Sequence, residues 1–411
     1  MPDAATVAAD NPTLTLDARR QAAAGRLSSL PVPSYKGGAG WEFTPLGDLD
    51  LDAFPAAPGA PAAAVEPLFA PDGAASPSAE EAVSEGPVVL PLADAFARHP
   101  DLVHAHLGTV VADTAFTARN EAQWTDGTFV YVPRNVHVEV PIVITSIHGE
   151  AGTALHTRTL VVLEEGAQAE VWDQTLSADP QTPGLVNGVV ELVVGDNARL
   201  RYVGGQDVNE QTWVFGTQRA IVGRDGHLDW ITLGFGGKDG KVFLETKLAE
   251  RGAHASVTGA YATRGRQHVD FDTLQEHAAA STTSDLAFRG ILDGRSTAVW
   301  RGMIQVDRGA QQTDAFQESR NLLLSKRAHA DAIPGLEILA DDVRCTHAAA
   351  IAQIDAEQLF YLESHGLPRA KANRLVVEGF LGALVERFEE GPVREAVAAA
   401  LEKRLAAVLG A

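Results

Sequence analysis

The stretch EGAQAEV, Glu165–Val171, sets a glycine-centred turn immediately before an alternating run, and the same form returns along the chain. RNVHVEV (Arg134–Val140), DNARLRYV (Asp196–Val203), DGHLDWI (Asp225–Ile231) and RGAHASV (Arg251–Val257) all pass from a turn residue into strand-like alternation. With Asn135, Gly166, Asn197, Gly226 and Gly252 as markers, the steps are 31, 31, 29 and 26 residues. A β-sandwich turns every 8–12 residues or so. The longer step fits stacked coils, none of which buries its apolar side alone, so that stacking creates the core. The fold class expected is therefore mostly β, with a parallel β-helix at its centre. A large antiparallel sheet protein is the competing reading.

The strand signal is carried by FVYVP, VHVEVP, RTLVVLEE, AEVWDQT, VVELVVG, ARLRYVG and HLDWITLGF, each rich in β-branched or aromatic residues. Around this core the period changes. TLTLDARRQAAAGRLSSLPVPSY reads as a short amphipathic helix stopped by Pro31 and Pro33. Phe54–Pro87, rich in Ala, Pro, Ser and Gly, reads as a poorly ordered surface connection. LADAFARHPDLVHAHLG returns to helical spacing, with Leu92, Phe96 and Leu102 on one face. After Ile351 three helices are predicted. The first is capped by Asp355 with Gln358 and closed by Gly366, and the second opens at Pro368. The third carries the stripe Val393, Val397, Leu401, Leu405 and Val408. The organisation expected is a helical N-terminal segment (1–53), a linker (54–88), a helical lead-in (89–126), the β-helix core (127–352) and a helical C-terminal domain (353–411).

Composition narrows the function. Lys and Arg number 33 against 54 Asp and Glu, a formal charge of −21. Such a surface repels phosphate backbones, which argues against nucleic-acid binding. No secretory signal opens the sequence and no run of about 18 apolar residues occurs, so a cytoplasmic chain without a membrane span is expected. One cysteine excludes an internal disulfide. It also excludes a complete iron–sulfur site on this chain alone, since such clusters take about four thiolates.

That cysteine, Cys345, stands two residues before His347 in DDVRCTHAAA. On an extended strand both leave the same face as Val343, and Thr346 points away. A thiol and an imidazole together can bind a soft metal or sulfide, or act as nucleophile and base, with Arg344 and His347 available to stabilise the thiolate. The plainer reading is a small buried thiol beside a structural histidine. A second cluster, QHVDFDTLQEH, puts His268, Asp270 and Asp272 on one strand face. Two such carboxylates can serve glycosidic acid–base chemistry, which defines an alternative of another class, a β-helix carbohydrate-active enzyme. A polar row on the solvated outer side of a coil is preferred. GGQDVNE and GFGGKDGK are glycine-rich but open no helix. They read as turns, and no GxxxxGK[ST] loop is present, so no bound nucleotide is expected.

Three blocks in order, AQQTDAFQESRNLLLS, LEILADDVRCTHAA and LFYLESHGL, resemble the SufB/SufD family of iron–sulfur cluster assembly proteins. NEAQWTDGTFVYVP, HVDFDTLQEHAAASTTS and GWEFTPL are similar to further elements of that family, and the likeness is weakest over Phe54–Pro87. The resemblance implies a right-handed parallel β-helix with flanking helical parts, acting as a scaffold rather than an enzyme. It implies SufB as heterodimer partner and SufC as the ATPase that docks on the C-terminal helices, at Leu359, Phe360 and Tyr361. It implies a transient iron–sulfur cluster shared with SufB, with His347 facing it and Cys345 as second ligand, sulfur relay or packing. A homodimer in the absence of SufB is a further expectation. CTHAA and the single cysteine look closer to the SufD branch than to the SufB branch, which is the alternative within the family. Ala348 departs from the family pattern, where glycine is usual.

Overall fold

The computed structural model describes residues 15–34, 36, 40–47, 49–61, 65–71, 73, 74, 76 and 86–410. Two sheets dominate them. Sheet A runs in the order β1 (Val88–Pro91), β2 (Asp126–Val132), β4 (Ala154–Leu163), β6 (Gly184–Val194), β8 (Thr212–Val222), β10 (Asp239–Leu248), β12 (His268–His277), β14 (Thr297–Val306) and β16 (His329–Ile338). Sheet B runs β3 (Ile142–His148), β5 (Gln168–Ser177), β7 (Arg199–Asp207), β9 (His227–Gly234), β11 (His254–Thr263), β13 (Thr283–Leu292), β15 (Thr313–Leu323) and β17 (Val343–Gln353). Successive strands alternate between the sheets, and every pairing is parallel except β1 with β2. This is a parallel β-helix, the stacked-coil architecture read from the repeat. Among the described residues no helix is long and apolar enough to cross a membrane.

The corner leading from sheet A to sheet B explains the repeat. Asn135, Gly166, Asn197, Asp225, Gly252, Ser281 and Gln312 all hold a left-handed backbone, with φ between 52° and 76°. Four of the five sequence markers occupy that column. The fifth is displaced by one: Asp225, not Gly226, takes the positive φ, because Asp tolerates this conformation through local hydrogen bonding. VHVEVP is not a strand. Its pairing is one isolated bridge, from His137 to Gln168. The expected helix over 92–108 is two helices, α2 (Leu92–Arg98) and α3 (Pro100–His106), because Pro100 cannot continue the first.

Along each strand one set of alternate residues faces inward. Val161, Leu163, Tyr202, Trp230, Phe271, Phe288 and Trp300 belong to the continuous core between the sheets. Burying each of the larger ones contributes about 2–3 kcal/mol. The outer faces are covered too. On sheet A, α2 and α3 pack over Phe129, Leu160 and Val162. Helices α1 (Leu16–Arg26) and α4 (Ala115–Gln123) are tied to the same sheet by a buried ion cluster. In it Arg158 pairs with Glu121 and Glu191, and Arg19 with Glu121.

On sheet B the tail helices α5 (Ala356–Ser364), α6 (Arg369–Val385) and α7 (Pro392–Leu409) complete the fold. Val377, Leu381, Val397, Leu401 and Leu405 pack on Val203, Ile231, Ala260 and Ile291, and all five residues of the predicted α7 stripe are buried. Arg404 donates to the Ala262 carbonyl at 2.9 Å and to Gln267 at 2.8 Å. Asp355 caps α5 through the Glu357 amide rather than through a box with Gln358, and Pro368 stands at the N-cap of α6. The expected linker lies partly outside the described residues. Its described part is pinned: Phe69 is buried edge-on against Trp172, and the Leu68 and Phe69 amides donate to Gln174.

Candidate functional site

The last coil is where the stack stops. β17 pairs with β15 from Thr313↔Val343 to Leu323↔Gln353, and β16 pairs with β14. Among the described residues neither has a strand on its other side. Both therefore present a row of unpaired backbone donors and acceptors, and the inner face of the final coil has no coil above it.

Register fixes which side chains sit there. Cys345 lies level with Ala315 and His347 with Gln317, both buried inward residues of the coil below. The two candidates thus share the inner face, about 7 Å apart along the strand. Their surroundings differ. Cys345 is half-buried and packs with Leu336 and Val343 against Ile304, Val306, Ala310, Ala315 and Ala340. Burial pushes its thiol up, and the nearby Asp314 carboxylate pushes in the same direction. Arg344 does not offset this: it pairs with Asp314 at 3.3 Å on the other face. Of the two groups expected to stabilise the thiolate, Arg344 is turned away by the period-two alternation. His347 is exposed. Around the open end Ile338, Leu339 and Ile351 are also exposed, an apolar rim that periodicity alone did not mark as uncovered.

Leu359, Phe360 and Tyr361 do not form one surface. Leu359 is 5 % exposed, against 71 % for Phe360 and 63 % for Tyr361. Consecutive helical residues are about 100° apart, so one turns inward when the next two face out. The Tyr361 ring packs against His365 at a 44° tilt, with centroids 4.3 Å apart. Leu375 on α6 is half exposed, an apolar group the sequence reading did not single out.

The Asp270–Asp272 cluster lies on the outer face of sheet A, but it is not solvated. Lys241, itself buried, approaches Asp270 at 2.8 Å and Asp272 at 3.4 Å. The Thr44 hydroxyl donates to Asp270, and Arg301 pairs with Glu42, so the segment around Trp41 straps the site shut. Burial raises the Asp272 carboxyl, with the Lys241 and Arg301 charges opposing. A carboxylate pair clamped on a lysine beneath its own chain offers no cleft to a glycan. The strap joins from more than 220 residues away, which is why spacing on the strand did not reveal it. Among the described residues no three of His, Cys, Asp and Glu are grouped as metal ligands.

Comparison with known proteins is specific. The family described as "SUF system FeS cluster assembly, SufBD core domain" matches residues 145–380, and "SufBD protein N-terminal region" matches 69–144. The chain is 30 % identical over 332 residues to the iron–sulfur cluster assembly protein SufD of Bacillus subtilis, covering 79 % of this chain and 76 % of that protein. It is 33 % identical over 303 residues to an iron–sulfur cluster assembly SufBD family protein of Mycobacterium tuberculosis, covering 72 % and 74 %.

Proposed function

The chain belongs to the SufBD family of iron–sulfur cluster assembly proteins, and from that premise we propose that it is the SufD-type scaffold subunit of a complex with SufB and the ATPase SufC. One observation carries the reading: the inner face bearing His347 and Cys345 lies open at the unpaired end of the stack. Strand edges of this kind recruit a strand from another chain, and Ile338, Leu339 and Ile351 supply apolar surface to bury on pairing. SufB is the partner proposed at this edge, and a second copy of the chain takes its place where SufB is absent.

His347 then becomes a ligand at a seam between two subunits. Neutral imidazole suits iron, and the cluster is cargo whose remaining ligands come from the partner. Cys345 is the weaker candidate, because a half-buried thiol kept protonated is a poor ligand until docking changes its surroundings. SufC is proposed to bind the exposed apolar group of Phe360, Tyr361 and Leu375. The chain has no nucleotide loop, so ATP hydrolysis belongs to that partner. The acidic surface fits a cytoplasmic protein–protein assembly rather than nucleic acid.

The test is His347→Ala in the reconstituted complex. The complex should remain intact by mass while the cluster formed falls at least about tenfold, as loss of a ligand predicts. Full cluster yield from an intact variant complex removes His347 from the role.

A further inference from the structure

Two successive corners of the repeat each deliver a histidine. Asp225 and Gly252 take the left-handed corner conformation, and His227 and His254 stand two residues later, at the start of β9 and β11. These strands are neighbours in sheet B, and their register sets His254 level with His227. Leu228 and Ala255, next along the two strands, belong to the inner core, so period-two alternation turns both imidazoles to the outer face. The coil repeat thus stacks them one rung apart. Their ring centroids lie 5.4 Å apart, with the planes tilted by 42°.

That separation is the one a shared ion requires. Zinc bonds an imidazole nitrogen at about 2.1 Å, which puts it about 3.2 Å from each ring centre, and a tetrahedral angle at the ion then sets the two centres about 5.3 Å apart. Neither ring is committed elsewhere: among the described residues no hydrogen bond engages His227 or His254. The terminal torsion of histidine is broad, so ring rotation alone turns a nitrogen of each toward one point.

The surroundings favour neutral rings, the form that binds metal. Burial holds His227 below the usual imidazole range, the His254 and Arg199 charges act in the same direction, and Asp225 opposes them. Burial also holds His254 down, against the Asp285 and Asp229 carboxylates. A second observation comes from Asp285, which stands level with Ser256 and therefore diagonal to His254. Its Oδ2 pairs with Arg387 at 3.0 Å, but its Oδ1 is buried and accepts no hydrogen bond. A metal-bound histidine gives its remaining N–H to an acceptor of this kind. Asp229 is paired with Arg201 at 2.9 Å, so nearby charges largely cancel and the donor atoms decide which ion is held.

Paired imidazoles suit zinc, copper and nickel, whereas magnesium and calcium take oxygen ligands. We propose that His227 and His254 form a two-histidine chelate for a divalent transition metal of the zinc class on the outer face of sheet B. Water completes the coordination shell, and Asp285 orients His254. The site lies three rungs before β17, about 14 Å from the open end, and is separate from His347.

The chelate is independent of the cluster-assembly reading and is tested on the full-length chain, free of any affinity tag and stripped with a chelator. Thermal unfolding is followed in zinc chloride and in magnesium chloride at equal concentration. With zinc at about 100 times its dissociation constant the unmodified protein should melt about 3 °C higher, and magnesium should give no shift. His227→Gln, at an exposed position, and His254→Gln should each abolish the gain. His347→Ala should keep it, which separates this ion from one held at the open end. With copper(II) as probe, the electron paramagnetic resonance spectrum should show two nitrogen ligands, reduced to one by either glutamine. An equal gain in magnesium, or a gain kept by either glutamine variant, overturns the chelate and leaves two stacked surface histidines.

Discussion

At the N-terminal end of the solenoid the edge of sheet A is paired. β1 runs antiparallel along β2, and α2 and α3 cover the outer face beside it. A fully buried arginine, Arg158, locks two carboxylates there, and the Gly108 and Val110 amides satisfy Glu191 further. At the C-terminal end β16 and β17 have, among the described residues, no strand on their outer side, and apolar residues stand exposed on the rim. Both ends come from the same repeat. Solenoids need capping repeats to stay soluble, so an end finished with so much internal charge pairing and one left bare are different kinds of surface. The first is closed by the chain's own residues, and the second is the face proposed above for assembly.

That contrast can be broken most forcefully at the closed end. Arg158→Ala leaves Glu191 buried without its cationic partner and Glu121 with Arg19 alone, and should lower unfolding stability by about 3–5 kcal/mol, read as a shift in urea midpoint. Acid attacks the same end by a different route. Burial, with the Arg119 charge as a lesser cause, holds the His156 ring down to about 4. The unfolded chain binds that proton near pH 6.5, so the contribution is whole above that value and is lost as pH falls toward 4. It amounts to at most about 3 kcal/mol. His156→Gln should remove this share of the acid sensitivity, seen by comparing urea midpoints at pH 7 and pH 4.5. The smallest effect on the isolated chain belongs to the open end. Ile351→Lys should change stability by no more than about 0.5 kcal/mol, yet lower recovery of the paired complex about tenfold in co-purification. A large stability loss from Ile351→Lys would mean that the rim is structural after all.

The coil repeat was legible because a left-handed corner restricts residue type, so Asn135, Gly166, Asn197 and Gly252 could be read directly. VHVEVP misled because alternation reports a half-buried strand only where a neighbour exists to pair with it. The shared face of Cys345 and His347 followed from the two-residue period, but their exposure did not. Exposure depends on where stacking ends, which no local pattern encodes. The burial of Asp270 was equally hidden, since Lys241 and Thr44 reach it from elsewhere in the chain. The inward turn of Leu359 beside the exposed Phe360 and Tyr361 is legible from helical geometry alone. The level placing of His227 and His254 needs the register, since the marker Gly226 stands one residue off the corner column.

The tail follows β17 in sequence but does not lie across it. Val397, Leu401 and Arg404 bring α7 back along the flank of sheet B, where Arg404 is anchored at Ala262. Whatever grips the tail therefore works as a hand on a lever beside the shaft, not as a plug in its mouth. A load on α7 falls first on the coils of Val203, Ile231 and Ala260, and the exposed edge of β17 stays clear of it.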